Sequence, residues 1–181
     1  MTADILLSFA YPLQLPPENQ EDKVKFELNA IGKIELGERG YVIRLNEEVR
    51  EGLTGVEDFS HVQVYWWAHL LDQPETRKIT TVEKPYVKSP EVLGVFATRS
   101  PLRPNPLAMT LVPVTFVDRE AGLLGVAYID GEPGTPVLDI KPYYAMERVK
   151  ECRVPSWCSH WPQWYEEAGD FDWEKEFVNA H

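Results

Sequence analysis

Residues 60–69 read SHVQVYWWAH, and this stretch decides the predicted fold. β-branched and aromatic side chains dominate it, and it contains neither proline nor glycine. Such side chains are enriched in β-strands because they pack well on a pleated surface. We therefore expect residues 60–69 to form a central strand that is buried on both faces.

Further strand-like stretches lie on either side of this one. They cover residues 5–10, 26–35, 41–45, 92–97, 111–117 and 125–129. Polar residues 118–122 predict a hairpin connection between the last two. Helix signals are few: Asn46 would cap a short helix that ends near Gly55, and residues 161–167 would start another after a proline. The pattern predicts a mainly β protein, a single compact barrel-like coiled β-sheet domain with a few short helices.

The composition is that of an ordinary globular domain. Of the 181 residues, 44% are apolar and 26% are charged, which excludes a wholly disordered chain, a collagen-like repeat and a coiled coil. Lysine and arginine number 18 against 29 acidic residues, so the net charge is −11. Non-specific nucleic-acid binders need a cationic face, so this charge argues against that class, although a local basic patch remains compatible with it.

Signals for a membrane or for secretion are weak. The apolar residues 5–10 are too few for a signal peptide, and no lysine or arginine precedes them. No stretch approaches the roughly 18 apolar residues that a membrane-spanning helix needs. Two cysteines, Cys152 and Cys158, are too few for a disulfide scaffold, so we expect a reduced cytoplasmic protein that does not bind membranes.

The least ordinary stretch is residues 94–110, GVFATRSPLRPNPLAMT, in which a predicted strand runs into a loop with three prolines. Each proline fixes its own φ angle and holds the preceding residue extended, so the loop is rigid before any ligand binds. The loop presents Arg99, Ser100, Arg103 and Asn105. Rigid loops with polar side chains on a β scaffold are typical binding sites. The alternative is a rigid turn whose arginines pair with the many acids of the protein.

A second stretch, residues 130–143, reads DGEPGTPVLDIKPY. A turn rich in glycine and proline leads into a short apolar run that contains Asp139 and Lys141. These two side chains are spaced i and i+2, so they share one face of an extended strand. They can form an ion pair, or both can point into a polar cavity.

These stretches resemble the hallmark motifs of the TsaA-like family, also called TrmO or YaeB-like. The family loop, Gly-Val-Phe-Ala-Thr-Arg-Ser-Pro-x-Arg-Pro-Asn-Pro, matches residues 94–106 throughout. Residues 134–143 match the second family motif, with Pro133 where the family usually has aspartate. Residues 53–61 and 31–34 match two further motifs, so the resemblance extends over residues 31–147. It implies a barrel-like β domain that is usually dimeric and binds S-adenosylmethionine.

The resemblance also implies a function, since characterised members methylate N6 of threonylcarbamoyladenosine in the tRNA anticodon loop. We therefore expect a cytoplasmic, homodimeric methyltransferase with tRNA as its partner. A cofactor-binding module that methylates a small molecule, or regulates, is the second hypothesis. The chain carries no glycine-rich loop of the kind that binds dinucleotides between a strand and a helix, which agrees with a methyltransferase outside that fold.

The resemblance also implies which residues form the site, because they occupy positions that match the family motifs. Asp139 would take or orient the N6 proton, or merely fix Lys141 or Arg103, and Asn105 is the second predicted catalytic residue. Lys141 and Tyr143 would bind the substrate at the mouth of the pocket. The cofactor contacts are implied to be His69, Arg99, Ser100, Arg103, Pro104, Asn105, Pro106, Met109, Ile129 and Asp130. Arginine suits the cofactor carboxylate, because its guanidinium forms bidentate hydrogen bonds.

The chain departs from the family in three places. A family Pro-Arg-Gln segment is replaced by residues 35–42, ELGERGYV, where Arg39 would be a poor substitute. The C-terminal region of the bacterial enzymes is replaced by an acidic tail, and the family's first strand is preceded by an extension. We therefore divide the chain into an N-terminal strand or arm at residues 1–30, a β-barrel domain at residues 31–147 and a tail at residues 148–181.

Two groups of metal-ligand residue types have unfavourable spacing. His61 and His69 lie eight residues apart on one predicted strand, and therefore on one face, but no third ligand accompanies them. Cys152, Cys158 and His160 lack a fourth ligand. We expect no metal: His61 would hydrogen-bond within the core, and both cysteines would be buried beside tryptophans.

The tail combines aromatic residues with acids. Six acids and one lysine lie between residues 165 and 181. A protein that stacks on single-stranded nucleic acid would be basic there, so we expect these rings to pack on the barrel or on a partner subunit. They are Trp157, Trp161, Trp164, Tyr165, Phe171, Trp173 and Phe177.

Overall fold

Strands and short 3-10 turns form the regular structure in this computed structural model, which describes residues 25–178. The strands are β1 Gly32–Gly37, β2 Gly40–Leu45, β3 His61–Trp67, β4 Thr81–Glu83, β5 Val92–Gly94, β6 Leu107–Asp118, β7 Leu123–Val126 and β8 Pro136–Pro142. The 3-10 turns are Glu47–Leu53, Val56–Asp58, His69–Leu71, Thr76–Lys78, Val95–Ala97, Ala145–Glu147, Ser156–Cys158, Tyr165–Glu167 and Trp173–Lys175.

Six of the strands close into a barrel in the order β1-β2-β7-β6-β3-β8. Neighbouring strands of the barrel run antiparallel, and β8 pairs back with β1 through Gly32 and Val137. The strands β4 and β5 form a separate two-stranded sheet. The predicted mainly β, barrel-like fold is confirmed.

The central position of β3 is confirmed, because it pairs with β6 on one side and β8 on the other. Its predicted burial on both faces is wrong. Val62 and Val64 are buried in the barrel core, whereas Gln63 and Tyr65, which alternate with them, are half-exposed. The reason is the closed barrel: only one face of each strand lines the interior, and alternate side chains point to opposite faces.

The barrel core contains the inward-facing aliphatic side chains of all six strands. Its fully buried members include Ile34, Ile43, Val64, Val112, Leu124 and Val137. Position 125 on β7 has room only for glycine, because a Cβ atom there would lie 2.2 Å from the Phe116 ring. The register between β6 and β7 shifts at this point, between Val114 and Phe116.

Several strand predictions hold with changed bounds. Residues 41–45 fall within β2 and residues 111–117 within β6. The hairpin at residues 118–122 is present: the Ala121 N–H donates to Asp118 Oδ1 at 2.9 Å, and Gly122 has a φ of +66°. The strand predicted for residues 125–129 instead covers Leu123–Val126.

Other predicted strands are longer than those in the structure. Only the last part of residues 26–35 is a strand, starting at Gly32. Residues 92–97 form the three-residue β5 and then a 3-10 turn, because β5 pairs only with the short β4 and not with the barrel. The predicted strand at residues 5–10 lies outside the described residues.

The predicted helices are short 3-10 turns. Asn46 occupies the N-cap position of Glu47–Leu53 without capping it. Its side-chain Nδ2 instead donates to the Ala30 carbonyl at 2.8 Å, which anchors the entry to β1. Residues 161–167 give only the turn Tyr165–Glu167. Across residues 25–178, no helix has both the length and the apolar character needed to cross a bilayer.

The two histidines of the weak metal pattern do not share a strand. β3 ends at Trp67, and His69 lies in the following 3-10 turn, because the backbone of Ala68 leaves the extended conformation with a ψ of 64°. His61 is hydrogen-bonded to Ser60 Oγ at 2.9 Å on the outer side of the barrel and not in the core. Within residues 25–178, no three His, Cys, Asp or Glu side chains are grouped as a metal site.

Most of the tail aromatic rings form a second cluster away from the barrel core, whereas Trp164 is 60% exposed. Trp157, Trp161 and Phe177 surround Tyr86, which is 7% exposed. Tyr165 packs edge-on against His61 of β3, with ring centres 5.6 Å apart. The prediction for the cysteines is half wrong: Cys158 is buried beside this cluster, but Cys152 is exposed.

Candidate functional site

The proline-rich loop is held from inside by Arg103. Its Nε donates to the Ser100 carbonyl at 2.8 Å, and its Nη2 donates to the carbonyls of Val95 at 2.9 Å and Thr98 at 2.6 Å. The Thr98 hydroxyl adds a bond to the Val95 carbonyl at 2.8 Å. Arg103 therefore braces the loop, a role that its place in the motif did not reveal.

The remaining polar residues of the loop are presented outward. Arg99 and Asn105 are exposed, while Pro106 is buried. Ser100 Oγ accepts the Leu102 N–H at 3.2 Å, which fixes the turn that precedes Pro104. Among residues 25–178, neither Arg99 nor Arg103 forms an ion pair with a carboxylate. The alternative of a rigid turn whose arginines pair with acids is therefore not what the described residues show.

His69 lies beside this loop. The bond between the Ala68 N–H and the Pro106 carbonyl, 2.9 Å long, brings the turn His69–Leu71 against the loop's end. The Nδ1 atom of His69 is buried, and no residue between 25 and 178 hydrogen-bonds it. A buried polar atom without a partner is costly, so this nitrogen is suited to a ligand's polar group.

A salt bridge holds the same turn from the other side. Asp72 accepts from Trp67 Nε1 at 2.8 Å and from Arg77 Nε and Nη2 at 2.5 and 2.7 Å. These hydrogen bonds, from Arg77 first and Trp67 second, lower the pKa of Asp72 to about 2. Asp72 was not among the predicted residues, and only its position just after His69 could have suggested it.

Asp130 lies at the end of a hydrogen-bond chain. Its Oδ2 accepts from Thr110 Oγ1 at 3.0 Å, and Thr110 accepts from Trp66 Nε1 at 3.0 Å. The Tyr128 hydroxyl donates to Asp130 Oδ1 at 2.8 Å. Burial, with the Asp130 hydrogen bond second, raises the pKa of Tyr128 to about 12. Ile129 is buried, and its side chain packs in the barrel core.

The outer face of the barrel holds the other predicted residues. Tyr65 on β3 pairs with Met109 on β6 and with Asp139 on β8, so the three lie in one row. Lys141, one position further on that face, forms an ion pair with Asp139. The Ile140 N–H donates to the other Asp139 oxygen at 2.9 Å. Of the two possibilities that the sequence left open for Asp139 and Lys141, the structure shows the ion pair.

A polar chain that the sequence analysis missed continues along this face. The Tyr65 hydroxyl donates to Gln63 Oε1 at 2.8 Å, and Gln63 Nε2 donates to Glu147 Oε1 at 2.7 Å. The hydrogen bond from Lys141 to Asp139 raises the pKa of Lys141. The Nζ atom of Lys141 lies 5.8 Å from the centre of the Tyr65 ring. The period of two in residues 60–69 was the signal that placed Gln63 and Tyr65 on one face.

The structure thus brings most, but not all, of the predicted residues to one end of the barrel. The loop and His69 lie where β3 ends and β6 begins. Met109 and Asp139 lie opposite Tyr65, two positions before the last residue of β3, and are therefore about 7 Å from that end of the strand. Tyr143 is four positions beyond Asp139, about 13 Å along β8, and its N–H bonds the His61 carbonyl at 3.1 Å. Tyr143 is therefore not gathered with the loop.

A cavity of about 440 Å³ lies elsewhere, between the turn Glu47–Leu53 and β8. Its walls are mainly apolar, from Ile31, Leu45, Val49, Val62 and Ile140. Of the predicted site residues it includes Asp139. A charged ligand would find few polar partners there, so the candidate site is the loop end of the barrel.

Comparisons with known proteins point to one family. Residues 32–147 match the family model described as the tRNA-methyltransferase O N-terminal domain. A probable S-adenosyl-L-methionine-binding protein of Pyrococcus horikoshii is 35% identical over 116 residues, which are 64% of this chain and 81% of that protein. The tRNA (adenine(37)-N6)-methyltransferase of Escherichia coli is 38% identical over 95 residues, 51% of this chain and 40% of the enzyme.

A solved structure agrees with this fold. The crystal structure of TrmO from Pseudomonas aeruginosa superposes with a TM-score of 0.54 at 28% identity. The match covers 72% of this chain and 62% of that one. This chain therefore spans less than two thirds of the solved protein and less than half of the E. coli enzyme.

Proposed function

This chain belongs to the tRNA-methyltransferase O family, whose N-terminal domain model matches residues 32–147, and on that premise we propose what it does. It transfers a methyl group from S-adenosylmethionine to N6 of threonylcarbamoyladenosine in a tRNA anticodon loop. The observation that carries this proposal is the loop end of the barrel. There the rigid loop presents Arg99, which is exposed and forms no ion pair within residues 25–178, and the neighbouring turn carries a buried histidine nitrogen that no residue between 25 and 178 hydrogen-bonds.

The residues at this end fit the cofactor. S-adenosylmethionine supplies an activated methyl group on a sulfonium cation, together with a carboxylate, an ammonium group and an adenine. Arg99 suits the carboxylate, because a guanidinium binds it in a bidentate manner. The Asp130 carboxylate suits a cation or a hydroxyl group, and the buried Nδ1 of His69 suits a polar atom of the ligand.

Arg103 serves by holding Arg99 in place. Its three bonds to loop carbonyls fix the backbone on both sides of Arg99. A loop that is fixed before binding loses little conformational entropy when the ligand arrives. Methyl transfer is a direct displacement, so alignment of the reacting groups supplies much of the rate.

Asp139 is the proposed acceptor of the N6 proton. Its ion pair with Lys141 and the hydrogen bond from the Ile140 N–H hold the carboxylate in place on the outer face of the barrel. Lys141 would also face the substrate's phosphate or threonyl carboxylate once the pair opens. Asn105, exposed on the loop beyond Arg99, would orient the adenosine amino group.

A basic segment supports tRNA as the substrate despite the net charge of −11. Arg148, Lys150 and Arg153 are exposed, and none of them is in an ion pair with another described residue. Glu147, just before them, is hydrogen-bonded to Gln63 at 2.7 Å, on the face that carries Asp139. The segment therefore leaves the barrel beside the proposed substrate side. Exposed cations bind phosphates by releasing counterions.

Exposed apolar residues around the loop support a homodimer. Phe96 is 83% exposed, Leu70 64% and Leu107 45%, and each is a close chain neighbour of Arg99, His69 or Pro106. Exposed apolar surface is a feature of interaction sites when it forms a patch, and we take these three side chains as parts of one. We propose that two copies meet at this face in the cytoplasm. Sedimentation of the purified protein tests the dimer, which should fall apart to monomers in a Phe96→Asp variant.

One observation favours the second hypothesis, a cofactor-binding module that acts on a small molecule or regulates. Arg39, the only arginine in the segment that replaces the family's Pro-Arg-Gln, does not reach towards the loop. Its guanidinium stacks on the Phe116 ring, 4.2 Å from the centroid. A relative of the E. coli enzyme that lacks this segment has one cofactor contact fewer.

A single assay decides between the two. Purified protein is incubated with bulk tRNA and methyl-labelled S-adenosylmethionine, and the tRNA is digested to nucleosides. We expect label in threonylcarbamoyladenosine, and none with an Arg99→Ala variant, whose calorimetric cofactor binding should also be lost. Cofactor binding by the parent protein without label in tRNA would favour the second hypothesis. No binding at millimolar cofactor would exclude both.

A further inference from the structure

Three aromatic side chains are exposed beside the start of β3. Trp164 is 60% exposed, Tyr144 51% and Tyr165 41%. We call these three side chains the platform. They do not belong to the aromatic cluster around Tyr86, and no other ring within residues 25–178 packs on Trp164. Aromatic rings that remain in solvent are available to a binding partner.

Contacts with the start of β3 bring two distant segments of the chain together at the platform. The Tyr165 ring packs edge-on against His61, with ring centres 5.6 Å apart. The Tyr144 ring packs edge-on against Phe59, with ring centres 5.9 Å apart. Phe59 and His61 are two residues apart, so their Cα atoms are separated by at most about 7 Å. Tyr144 and Tyr165 therefore lie on one surface, and Trp164 directly precedes Tyr165.

Hydrogen bonds hold the turns that carry these rings. The Tyr144 N–H donates to Glu147 Oε2 at 2.7 Å, and the Glu147 N–H donates to the Tyr144 carbonyl at 2.9 Å. On the other segment, the Glu167 N–H donates to the Trp164 carbonyl at 3.2 Å. Glu167 Oε2 accepts the Gln163 N–H at 3.2 Å. Rings on turns that are already fixed lose little conformational entropy when a ligand binds.

The platform is continuous with the face that carries Asp139. Glu147 Oε1 accepts from Gln63 at 2.7 Å, and Gln63 accepts from the Tyr65 hydroxyl at 2.8 Å. Tyr65 pairs with Asp139, and His61 lies four positions before Tyr65, about 13 Å away. This distance spans about four nucleotides of a stacked strand, which rises about 3.4 Å per nucleotide. A strand whose target base lies at Asp139 would therefore place nearby bases on the platform.

The charge beside the platform suits a nucleic acid. Free cations outnumber free acids there, because Glu147 and Glu167 are held by hydrogen bonds and only Glu151 and Glu166 make none with another described residue. Three exposed cations form no ion pair with another described residue, namely Arg148, Lys150 and Arg153. Rings with cations beside them are typical of proteins that bind single-stranded nucleic acid, since bases stack on the rings while cations follow the phosphates. This pattern favours RNA over a second copy of the acidic chain.

We propose that the platform stacks unpaired bases of the tRNA substrate, namely those that flank the acceptor adenosine in the anticodon loop. The cations of residues 148–153 hold the phosphates of the same strand. The ligand is a single strand, because a duplex hides the faces of its bases inside the helix. The inference rests on the proposed function, since it names the substrate side of the same site. It gives Trp164, which lies beyond the part matched by the family model, a task.

Binding of labelled RNA to the full-length protein without cofactor tests the proposal. The probes are a fluorescein-labelled single strand with the sequence of an anticodon loop and an RNA duplex of equal length, and fluorescence anisotropy measures both affinities. Trp164→Ala should weaken binding of the single strand about tenfold and leave the duplex affinity within about twofold of the parent value. Trp164→Phe should keep most of the affinity, because phenylalanine also offers a ring for stacking.

The matched control is Leu36→Ala. It removes a side chain that is 64% exposed on β1, a strand that does not pair with β3. This variant should bind both RNAs as the parent does, since it removes exposed apolar surface away from the platform.

Equal single-strand affinities in Trp164→Ala and the parent would overturn the proposal, and so would a parent protein that binds neither RNA. An equal loss for the single strand and the duplex would also contradict it, because stacking acts on unpaired bases. Sedimentation of both proteins tests the other occupant. A parent dimer that Trp164→Ala splits into monomers would show that a second copy covers the platform.

The methylation assay separates this inference from the proposed function. Label in tRNA together with an unchanged single-strand affinity in Trp164→Ala would refute the platform and leave the function in place. No label in tRNA together with the tenfold loss in Trp164→Ala would refute the proposed methyl acceptor and leave the platform as a surface that binds single strands.

Discussion

Arg103 donates hydrogen bonds to three carbonyl oxygens, and this distinguishes it from Arg99, the other arginine of the loop. A guanidinium reaches several acceptors in a fixed planar geometry, whereas an ammonium group is a single point charge on a flexible stem. Arg99 makes no such bonds within residues 25–178 and faces solvent. One motif thus contains an arginine that builds the loop and an arginine that the loop presents.

We predict that Arg103→Lys loosens the loop although it keeps the charge. The free energy of unfolding of the variant should be about 1–3 kcal/mol lower than that of the parent, because at least one of the carbonyls of Val95, Thr98 and Ser100 loses a charged donor. Cofactor affinity should fall about tenfold. Chemical denaturation and calorimetry measure the two effects. Equal stability and affinity in Arg103→Lys and the parent would mean that the brace does not hold the loop.

We predict that Asp139→Asn lowers turnover about a hundredfold and leaves the cofactor dissociation constant within about twofold of the parent value. The reason is that asparagine keeps the hydrogen bond from the Ile140 N–H but cannot accept the N6 proton. Lys141→Gln is the matched control, since it removes the other half of the ion pair. Equal losses in both variants would show that Asp139 merely fixes Lys141.

At the scale of elements, the sequence predicted strands well where pairing partners are long. β3 and β6 pair over seven positions, and both were expected from their β-branched and aromatic residues. β5 was overestimated because its apolar run has only three paired positions and no barrel neighbour. The turn after β3 could not be predicted, since Asp72 holds it through hydrogen bonds from the side chains of Trp67 and Arg77, and no local pattern marks these contacts.

The turn that carries His69 depends on Asp72, and its stability should depend on pH. The pKa of Asp72 is about 2 in the folded protein against a usual value of 3.8. A carboxyl whose pKa is lowered by folding contributes stability that is fully present above 3.8 and is lost as the pH falls through about 2.

We therefore predict that Asp72→Asn has a lower unfolding midpoint than the parent at neutral pH, and that this difference shrinks as the pH falls from about 4 to about 2. Thermal unfolding followed by circular dichroism measures it. Glu91→Gln, which removes a solvent-exposed ion pair with Lys84, is the control and should show little difference at any pH. A difference between Asp72→Asn and the parent that stays constant with pH would contradict the assignment.

At the scale of the whole molecule, the sequence predicted the barrel, but not the contacts that support the candidate site. The motif residues of the loop could be recognised because their types and order are fixed locally. The polar chain Tyr65–Gln63–Glu147 and the contact of His61 with Tyr165 join segments far apart in the chain, and no local pattern encodes them. Supporting contacts of this kind depend on strand register and on the closure of the barrel.

The net charge of −11 is likewise a property of the whole molecule that says little about one face of it. The segment of residues 148–153 carries three cations and one acid, while the last 17 residues carry six acids and one lysine. Separation of charge along the tail allows one part to approach a phosphate backbone while another part repels it. An acidic protein can then bind tRNA in one orientation only, which favours specificity over affinity.

We predict that this segment accounts for most of the salt dependence of tRNA binding. Replacing its three cations by glutamine should reduce the slope of log affinity against log salt by about 2, because each lost contact with a single-stranded phosphate removes about 0.7. Filter binding at several salt concentrations measures the slope. The control replaces three cations elsewhere and changes the net charge equally. The test variant is Arg148→Gln, Lys150→Gln, Arg153→Gln, and the control is Lys33→Gln, Arg119→Gln, Lys175→Gln.

Equal slopes in these two variants would mean that the affinity follows total charge, and the segment would then have no place in the tRNA interface. A smaller slope confined to the first variant would place phosphates beside Glu147 and Gln63, on the face that carries Asp139. Methylation measured on the same samples should fall with affinity at low tRNA concentration and recover at saturation. The reason is that these cations hold the substrate and take no part in the transfer itself.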